Sequence, residues 1–229
     1  MKKKVRVSVF SIILLTVMLL NAYAEKNLSA ITPIQLDEKM LEEIRQQAEL
    51  PRDYDMNRAM EGMDYLIMVE GFSAPGAAGL TGNGYVESRL LLNAGKGFYK
   101  GLFQWDGNCR WPKVKKYLET NEVNFDNQEE LYLWELIAAV NSENAQNYEE
   151  VIEYCKHCES ADESAEKWCK KFEGTKHALS MRKRLARLTL NAYRLYIKLN
   201  RNGIKYYQTN FDEDDNVHEF VTNVKVETM

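Results

Sequence analysis

Apolar side chains recur at helical spacing along most of this chain, and that pattern excludes most other fold classes. Met40, Leu41, Ile44 and Ala48 share one face, and Pro51 with Arg52-Asp53 ends the segment. Met56, Ala59, Met60, Met63 and Ile67 trace a second stripe that stops near Gly71. A methionine stripe of this kind belongs to a packed core rather than to a cofactor site. Leu131, Trp134, Ile137 and Ala138 mark another helix, and Ala165, Trp168, Cys169 and Phe172 one more. The longest pattern runs from about Ser180 to Asn200, with Leu185, Leu188, Ala192, Leu195 and Leu199 opposite Arg182, Lys183 and Arg194. That basic face reads as solvated, and Asn202-Gly203 closes the helix. The expected class is mainly α. With 229 residues, 45% of them apolar and 28% charged, one domain is the natural count. Such a chain buries roughly 70% of its unfolded surface, so it folds without disulfides or metal.

Between the second and later stripes, Ser73 is placed as an N-cap, with Ala74-Pro75 in a first turn that tolerates proline. A third helix should run from there to Glu87 or Ser88. Gly76, Gly79 and Gly82 recur every three residues along it, each at a cost to helix stability, which points to a helix that another backbone approaches closely. From Arg89 to Lys100 the period breaks. Asn93, Gly95 and Gly97 are turn formers and Phe98-Tyr99 are strand formers, so a short loop or small β-hairpin should follow the third helix. This stretch contains no Asp or Glu.

The two ends carry different information. Lys2, Lys3, Lys4 and Arg6 form a basic head, Val7 to Leu20 an apolar run, and Ala22-Tyr23-Ala24 a small-x-small cleavage pattern. Residues 1–24 read as a secretory signal, the run being shorter than the ~20 residues of a spanning helix. The mature chain would be periplasmic or secreted. Residues 25–53 are then a polar leader and the first helix, 54–200 the functional domain and 201–229 an acidic tail. Asp212-Glu213-Asp214-Asp215 in that tail is too short for a calcium loop. Losing the four basic residues takes the formal charge from -4 to -8, which argues against nucleic acid as a partner. All four cysteines, Cys109, Cys155, Cys158 and Cys169, lie in the exported part, and an even number there favours two disulfides. Three connectivities are possible, with Cys158–Cys169 preferred. A redox pair at Cys155-Lys156-His157-Cys158 would need a βαβ context that is missing, and a zinc site with His157 or His177 would need a second matched ligand pair. No metal or cofactor is implied.

Three pieces carry chemistry together: Gly82-Asn83-Gly84-Tyr85-Val86-Glu87-Ser88; then Gly101-Leu102-Phe103-Gln104-Trp105 with Asp106-Gly107-Asn108-Cys109-Arg110; and later Phe172-Glu173-Gly174. This set resembles the phage tail lysozyme family, a branch of the lysozyme-like superfamily that also holds goose-type lysozymes and lytic transglycosylases. The family pattern is Gly-Asn, three variable residues, Glu-Ser, a turn, and Gly-Leu-x-Gln-Trp before an Arg. Every fixed position is matched here. The resemblance covers roughly Tyr54 to Tyr193, and it implies a lysozyme-like helical domain that cleaves the bond between N-acetylmuramic acid and N-acetylglucosamine in peptidoglycan. The turn after Glu87 is short for the family, and Cys109 sits inside the Gly-x-x-Arg piece.

The residues themselves agree with that implication. Cleaving a glycosidic bond needs a carboxyl group that still holds its proton near neutral pH. If the third helix ends at Glu87, the negative end of its dipole and the apolar neighbours Val86 and Leu90 oppose loss of that proton. A two-carboxylate glycosidase needs a second acid across the sugar. The Arg89 to Lys100 stretch offers none, so the match is to the single-glutamate branch, in which the substrate's own acetamido group or 6-hydroxyl assists. By resemblance Gln104 lines the groove, Leu102 and Phe103 anchor the turn, and Ser88 hydrogen-bonds near the acid. Trp105 either stacks on a sugar or is buried, and Tyr99 is a groove candidate. Arg110 and Glu173 are candidate support, through a structural salt bridge. The competing function is a non-catalytic glycan-binding or structural domain. A monomer acting freely, or delivered to a conjugation or secretion machine of the envelope, fits either reading.

Overall fold

The computed structural model describes residues 38–92, 97–143 and 145–200. The signal segment 1–24, the leader 25–33, Asn93 and Gly95, the Asn202-Gly203 stop and the acidic tail lie outside these. Among the described residues the chain forms eight α-helices and one two-stranded hairpin, a mainly α, lysozyme-like architecture.

Helix α1 (Glu38–Gln47) buries Leu41 and Ile44. Helix α2 (Met56–Met68) is capped by Asp55, whose side chain accepts from the Arg58 amide, and its Met56, Ala59, Met60, Met63 and Ile67 stripe is core. Helix α3 (Ala74–Ser88) begins at Ser73, whose hydroxyl accepts from the Gly76 amide at 3.0 Å. Twelve of its fifteen residues are buried, the mark of a helix surrounded on all sides. It packs against α2, α6 (Glu149–His157), α7 (Ala161–Lys167) and α8 (Leu179–Asn200). The glycine triplet makes that possible. A Cβ at Gly76 would overlap the Cys155 carbonyl oxygen, one at Gly79 the Ser164 hydroxyl, and one at Gly82 would lie 2.8 Å from the Ala186 nitrogen.

The hairpin lies further along the chain than the residues suggested. Strand β1 (Tyr99–Lys100) pairs antiparallel with β2 (Trp105–Asp106), Tyr99 opposite Asp106 and Lys100 opposite Trp105. Its turn is therefore Gly101-Leu102-Phe103-Gln104. Helix α4 (Arg110–Thr120) follows directly, then α5 (Gln128–Asn141), a 3-10 turn (Ala145–Tyr148) and α6. Past Lys167 the backbone widens into a π-helix, Trp168–Phe172, which buries Trp168, Cys169 and Phe172.

Helix α8 departs from its expected orientation. Its buried face is Arg182, Leu185, Ala186, Thr189, Leu190, Ala192, Tyr193, Tyr196 and Ile197, while Leu188, Leu195 and Leu199 sit at the margins. Because α8 packs against α1, α2, α3 and α7 together, its covered face is wider than one stripe and takes in Arg182, which had read as solvated.

All four cysteines are thiols in the structure. Cys158 Sγ lies 3.5 Å from the Ser73 hydroxyl, whereas Cys169 Sγ faces the Thr175 carbonyl at 3.3 Å. The preferred Cys158–Cys169 pairing is absent, each sulfur facing a different neighbour. His157 turns outward to Glu153 at 2.9 Å.

Candidate active site

The site is built where α3 ends. Asn83 and Glu87 are four residues apart and so share one face of the helix. The Asn83 amide donates to the Gly79 and Ala165 carbonyls, at 2.7 and 3.1 Å, which fixes its oxygen outward. Arg182 from α8 reads that oxygen: its Nη1 donates to Asn83 Oδ1 at 2.7 Å, its Nε to the His177 carbonyl at 3.1 Å, and its Nη2 to Glu87 Oε1. The arginine side chain is 2% exposed and Glu87 18%. The Gly-Asn-x-x-x-Glu spacing thus acquires a physical reason: the asparagine orients a buried guanidinium, and the guanidinium holds the glutamate. Among the described residues nothing hydrogen-bonds Glu87 Oε2.

These surroundings are not the apolar ones expected of Glu87. Val86 is half-buried and Leu90 turns into the core. The helix ends in two consecutive left-handed residues, Arg89 (φ 61°) and Leu90 (φ 61°), and the Arg58 guanidinium from α2 donates to the Leu90 carbonyl at 3.0 Å. That contact turns the chain sharply after Glu87.

A second carboxyl lies behind the first. Glu173 follows the π-helix, and its side chain is 6% exposed. Burial pushes its carboxyl up to about 8, the nearby Glu87 charge adding to the effect, while Arg110, Arg182 and the Trp168 indole pull the other way. Arg110 Nη1 stands 3.8 Å from Glu173 Oε2 and donates to the Phe172 carbonyl at 3.1 Å. Glu173 Oε1 and the Trp168 indole N–H are both buried without a well-formed hydrogen bond, the indole being near enough only to favour the charged carboxyl.

The Gly101–Gln104 turn is held from beneath by Glu135 of α5. Its buried carboxyl accepts from the Leu102 amide at 2.6 Å and the Trp105 indole at 3.2 Å. Burial raises it to about 7 against those two hydrogen bonds. Gly101 sits at φ +70° with its Cα against that carboxylate, so no side chain fits there. Gln104 is left-handed (φ 49°) and donates its side-chain amide to the Gly101 carbonyl at 2.9 Å.

A family model for phage tail lysozymes matches residues 57–193. The chain belongs to the phage tail lysozyme family. Membership implies lysozyme-like glycosidase activity with peptidoglycan as the substrate class. No curated protein and no solved structure was found to match the chain.

Seen as a phage tail lysozyme, the chain sorts its candidate residues clearly. Glu87 is held by Arg182, and Arg110 stands beside Glu173, whose carboxyl feels the charges of Glu87 and Arg182. Gln104 belongs to the turn carried on Glu135, and Leu102 and Phe103 are buried there as expected. Tyr99, 55% exposed on β1 beside exposed Phe98, is free to meet a ligand. Trp105 is not: it is 0% exposed, edge-on to Phe103 and Phe172 with the Arg110 guanidinium 4.8 Å from its ring centre. It is core, because its indole is needed to hold Glu135. Ser88 is also turned away from the acid, donating to the Gly84 carbonyl at 3.1 Å within its own helix. Asp106, the one acid in the hairpin, caps α4 by accepting from the Cys109 and Arg110 amides at 2.7 and 3.3 Å. Arg182 and Glu135 are the residues that sequence reasoning did not single out. A basic residue on a helix with no local partner carries no sign that it turns inward, whereas a lone acid between Trp134 and Leu136 on an apolar helix was a signal for Glu135.

Proposed function

We propose that the chain cleaves the β-1,4 bond between N-acetylmuramic acid and N-acetylglucosamine with Glu87 as general acid. The observation that carries this is the asymmetry of the Glu87 carboxyl: Oε1 is occupied by Arg182, and Oε2, on a partly exposed side chain, is left for a proton and a sugar. Glu173 is sealed from substrate by comparison. A general acid must be placed within hydrogen-bond reach of the leaving oxygen and must tolerate the charge it acquires on giving up its proton. Arg182, already in position, stabilises that charge without reorganising, as preorganised donors do. Protonation of the glycosidic oxygen by Glu87 breaks the bond to the leaving N-acetylglucosamine. The oxocarbenium-like centre is then captured by water, or by the sugar's own 6-hydroxyl, and the resulting carboxylate takes up the nucleophile's proton.

The fixed Asn83–Arg182–Glu87 array speaks against the alternative of a glycan-binding domain without turnover, which would have no use for a held acid. The same reading places the chain outside the cytoplasm, in keeping with the basic head, apolar run and Ala22-Tyr23-Ala24. Purified sacculi incubated with the mature protein provide the test. Soluble muropeptides with free reducing ends identify a muramidase, and products one water lighter identify a transglycosylase. Release of neither kind contradicts the proposal.

A further inference from the structure

Two of the four residues in the Gly101–Gln104 turn are left-handed, Gly101 at φ 70° and Gln104 at φ 49°. Glycine takes that conformation freely, but a glutamine there is strained and persists only where its surroundings fix it. Within the turn, the backbone and side-chain amides of Gln104 both donate to the Gly101 carbonyl, at 3.2 and 2.9 Å. The contact from outside comes from α5. One oxygen, Glu135 Oε2, accepts from the Leu102 amide at 2.6 Å and from the Trp105 indole at 3.2 Å, which ties the start of the turn to the strand that leaves it. Glu135 is 1% exposed and Trp105 fully buried, so water does not stand in for either bond. Gly101 shows how close the approach is, because a Cβ there would overlap the same carboxyl oxygen.

In this held position the turn lies against the helix that ends in Glu87. A Cβ on Gly84 would meet the Phe103 ring at 3.4 Å and the Leu102 side chain at 3.5 Å, so both residues pack on α3 three positions before Glu87. The segment entering the turn exposes Phe98 and Tyr99. A chain of direct contacts therefore runs from Glu135 through Leu102 to α3 beside the acid, and the same hairpin carries the exposed aromatic pair.

We propose that Glu135 is a positioning residue for glycan binding: from beneath, it fixes the Gly101–Gln104 turn against α3, so that the hairpin meets a bound strand where Glu87 requires it. The inference rests on the reading of Glu87 as the acid of a peptidoglycan glycosidase. Glu135 itself touches no substrate, being enclosed under the turn it holds. Binding groups that are fixed beforehand lose little freedom on association, so freeing the turn weakens glycan binding and leaves the proton donor in place.

Three variants separate this role from simple support of the fold. Glu135→Gln keeps an acceptor for both N–H groups, Glu135→Leu removes it, and Gly101→Ala pushes the turn off the carboxyl from the other side. Leu136→Ala, a core change one residue along α5, is the control for lost stability. Activity is measured per folded molecule on soluble, uncross-linked glycan strands. Glu135→Leu and Gly101→Ala should raise KM at least about tenfold with kcat changed less than about threefold, while Glu135→Gln and Leu136→Ala should stay within about threefold of the wild type in both. An unchanged KM in Glu135→Leu or Gly101→Ala would overturn the proposal, and so would an equal rise in Leu136→Ala or in Glu135→Gln. Gly101→Ala carries the test if Glu135→Leu does not fold. Equilibrium affinity for the same strands is a second readout that needs no turnover, and it should weaken by the same factor in the same two variants. A wild type that binds strands without cleaving them would place the failure with the glycosidase reading, and weaker binding by the two variants would still support the hold. A wild type that binds no strand at all refutes the positioning role.

Discussion

At the scale of single residues, one guanidinium organises the site. Arg182 spends its donors on the His177 carbonyl, Asn83 and Glu87, the Asn83 bond fully buried and the other two partly so. Asn83→Ala removes an acceptor from a buried cation and unties the α3 end from Ala165 as well. The expected cost is about 1–3 kcal/mol of stability, seen as a lower urea midpoint, together with a larger fractional loss of muropeptide release than a surface Asn control shows. Unchanged activity in a folded Asn83→Ala would remove the orienting role. The motif spacing made Glu87, Gln104 and Glu173 legible in the sequence. Arg182 was not legible, because its partner Glu87 lies 95 residues away and its neighbours Lys183 and Arg184 suggest a wet face. Trp105 stayed ambiguous for a related reason: an indole suits a sugar face and a core equally well, and only the Glu135 carboxyl beneath it decides.

At the scale of elements, the close approach to α3 is the feature that sets the geometry. Gly76, Gly79 and Gly82 admit the Cys155 carbonyl, Ser164 and the Ala186 backbone into contact with the helix that ends at Glu87. Gly76→Ala meets a backbone carbonyl, which cannot rotate away, so α3 and α6 must separate. Its gain in helix propensity, about 1 kcal/mol, is smaller than the overpacking cost of about 1–3 kcal/mol or more, and the thermal midpoint should fall. A midpoint that rises would show that the interface yields freely. The glycine period made this legible, as the methionine stripe did for α2. Helices α4 and α6 were not foreseen, since each buries only two or three side chains among many charges: Val114 and Leu118 in one, Val151, Ile152 and Cys155 in the other. The π-helix was equally hidden, because its apolar residues fit an α period too and the widened turn appears only once Trp168 and Phe172 stack at 4.0 Å.

For the whole molecule, buried carboxyls set the response to pH. Glu135 and Glu173, raised by burial to about 7 and about 8, both hold protons in the folded state that the unfolded chain releases above about 4.5. Their contribution is fully present below that unfolded value and is lost as pH rises through 7 and 8, so unfolding free energy should decline from mildly acidic to mildly alkaline pH. For Glu135 the change is on the order of 3 kcal/mol. Glu135→Gln keeps an acceptor for Leu102 and Trp105 and should flatten that decline in urea titrations at several pH values; an unaltered slope would show that Glu135 is ionised in the fold. The same molecule-wide view bears on function, because α3, α8, the π-helix and the hairpin contribute to one site only when the domain is assembled. Its most direct test is muropeptide release from purified sacculi by Glu87→Gln, measured per folded molecule against the wild type. The amide keeps the shape of the side chain and a contact to Arg182 but has no proton to give, so release per folded molecule should fall by about 10²–10⁴-fold, beyond what the lost charge partner of buried Arg182 takes from the thermal midpoint. Wild-type release from a folded Glu87→Gln would contradict the assignment of Glu87 as the acid.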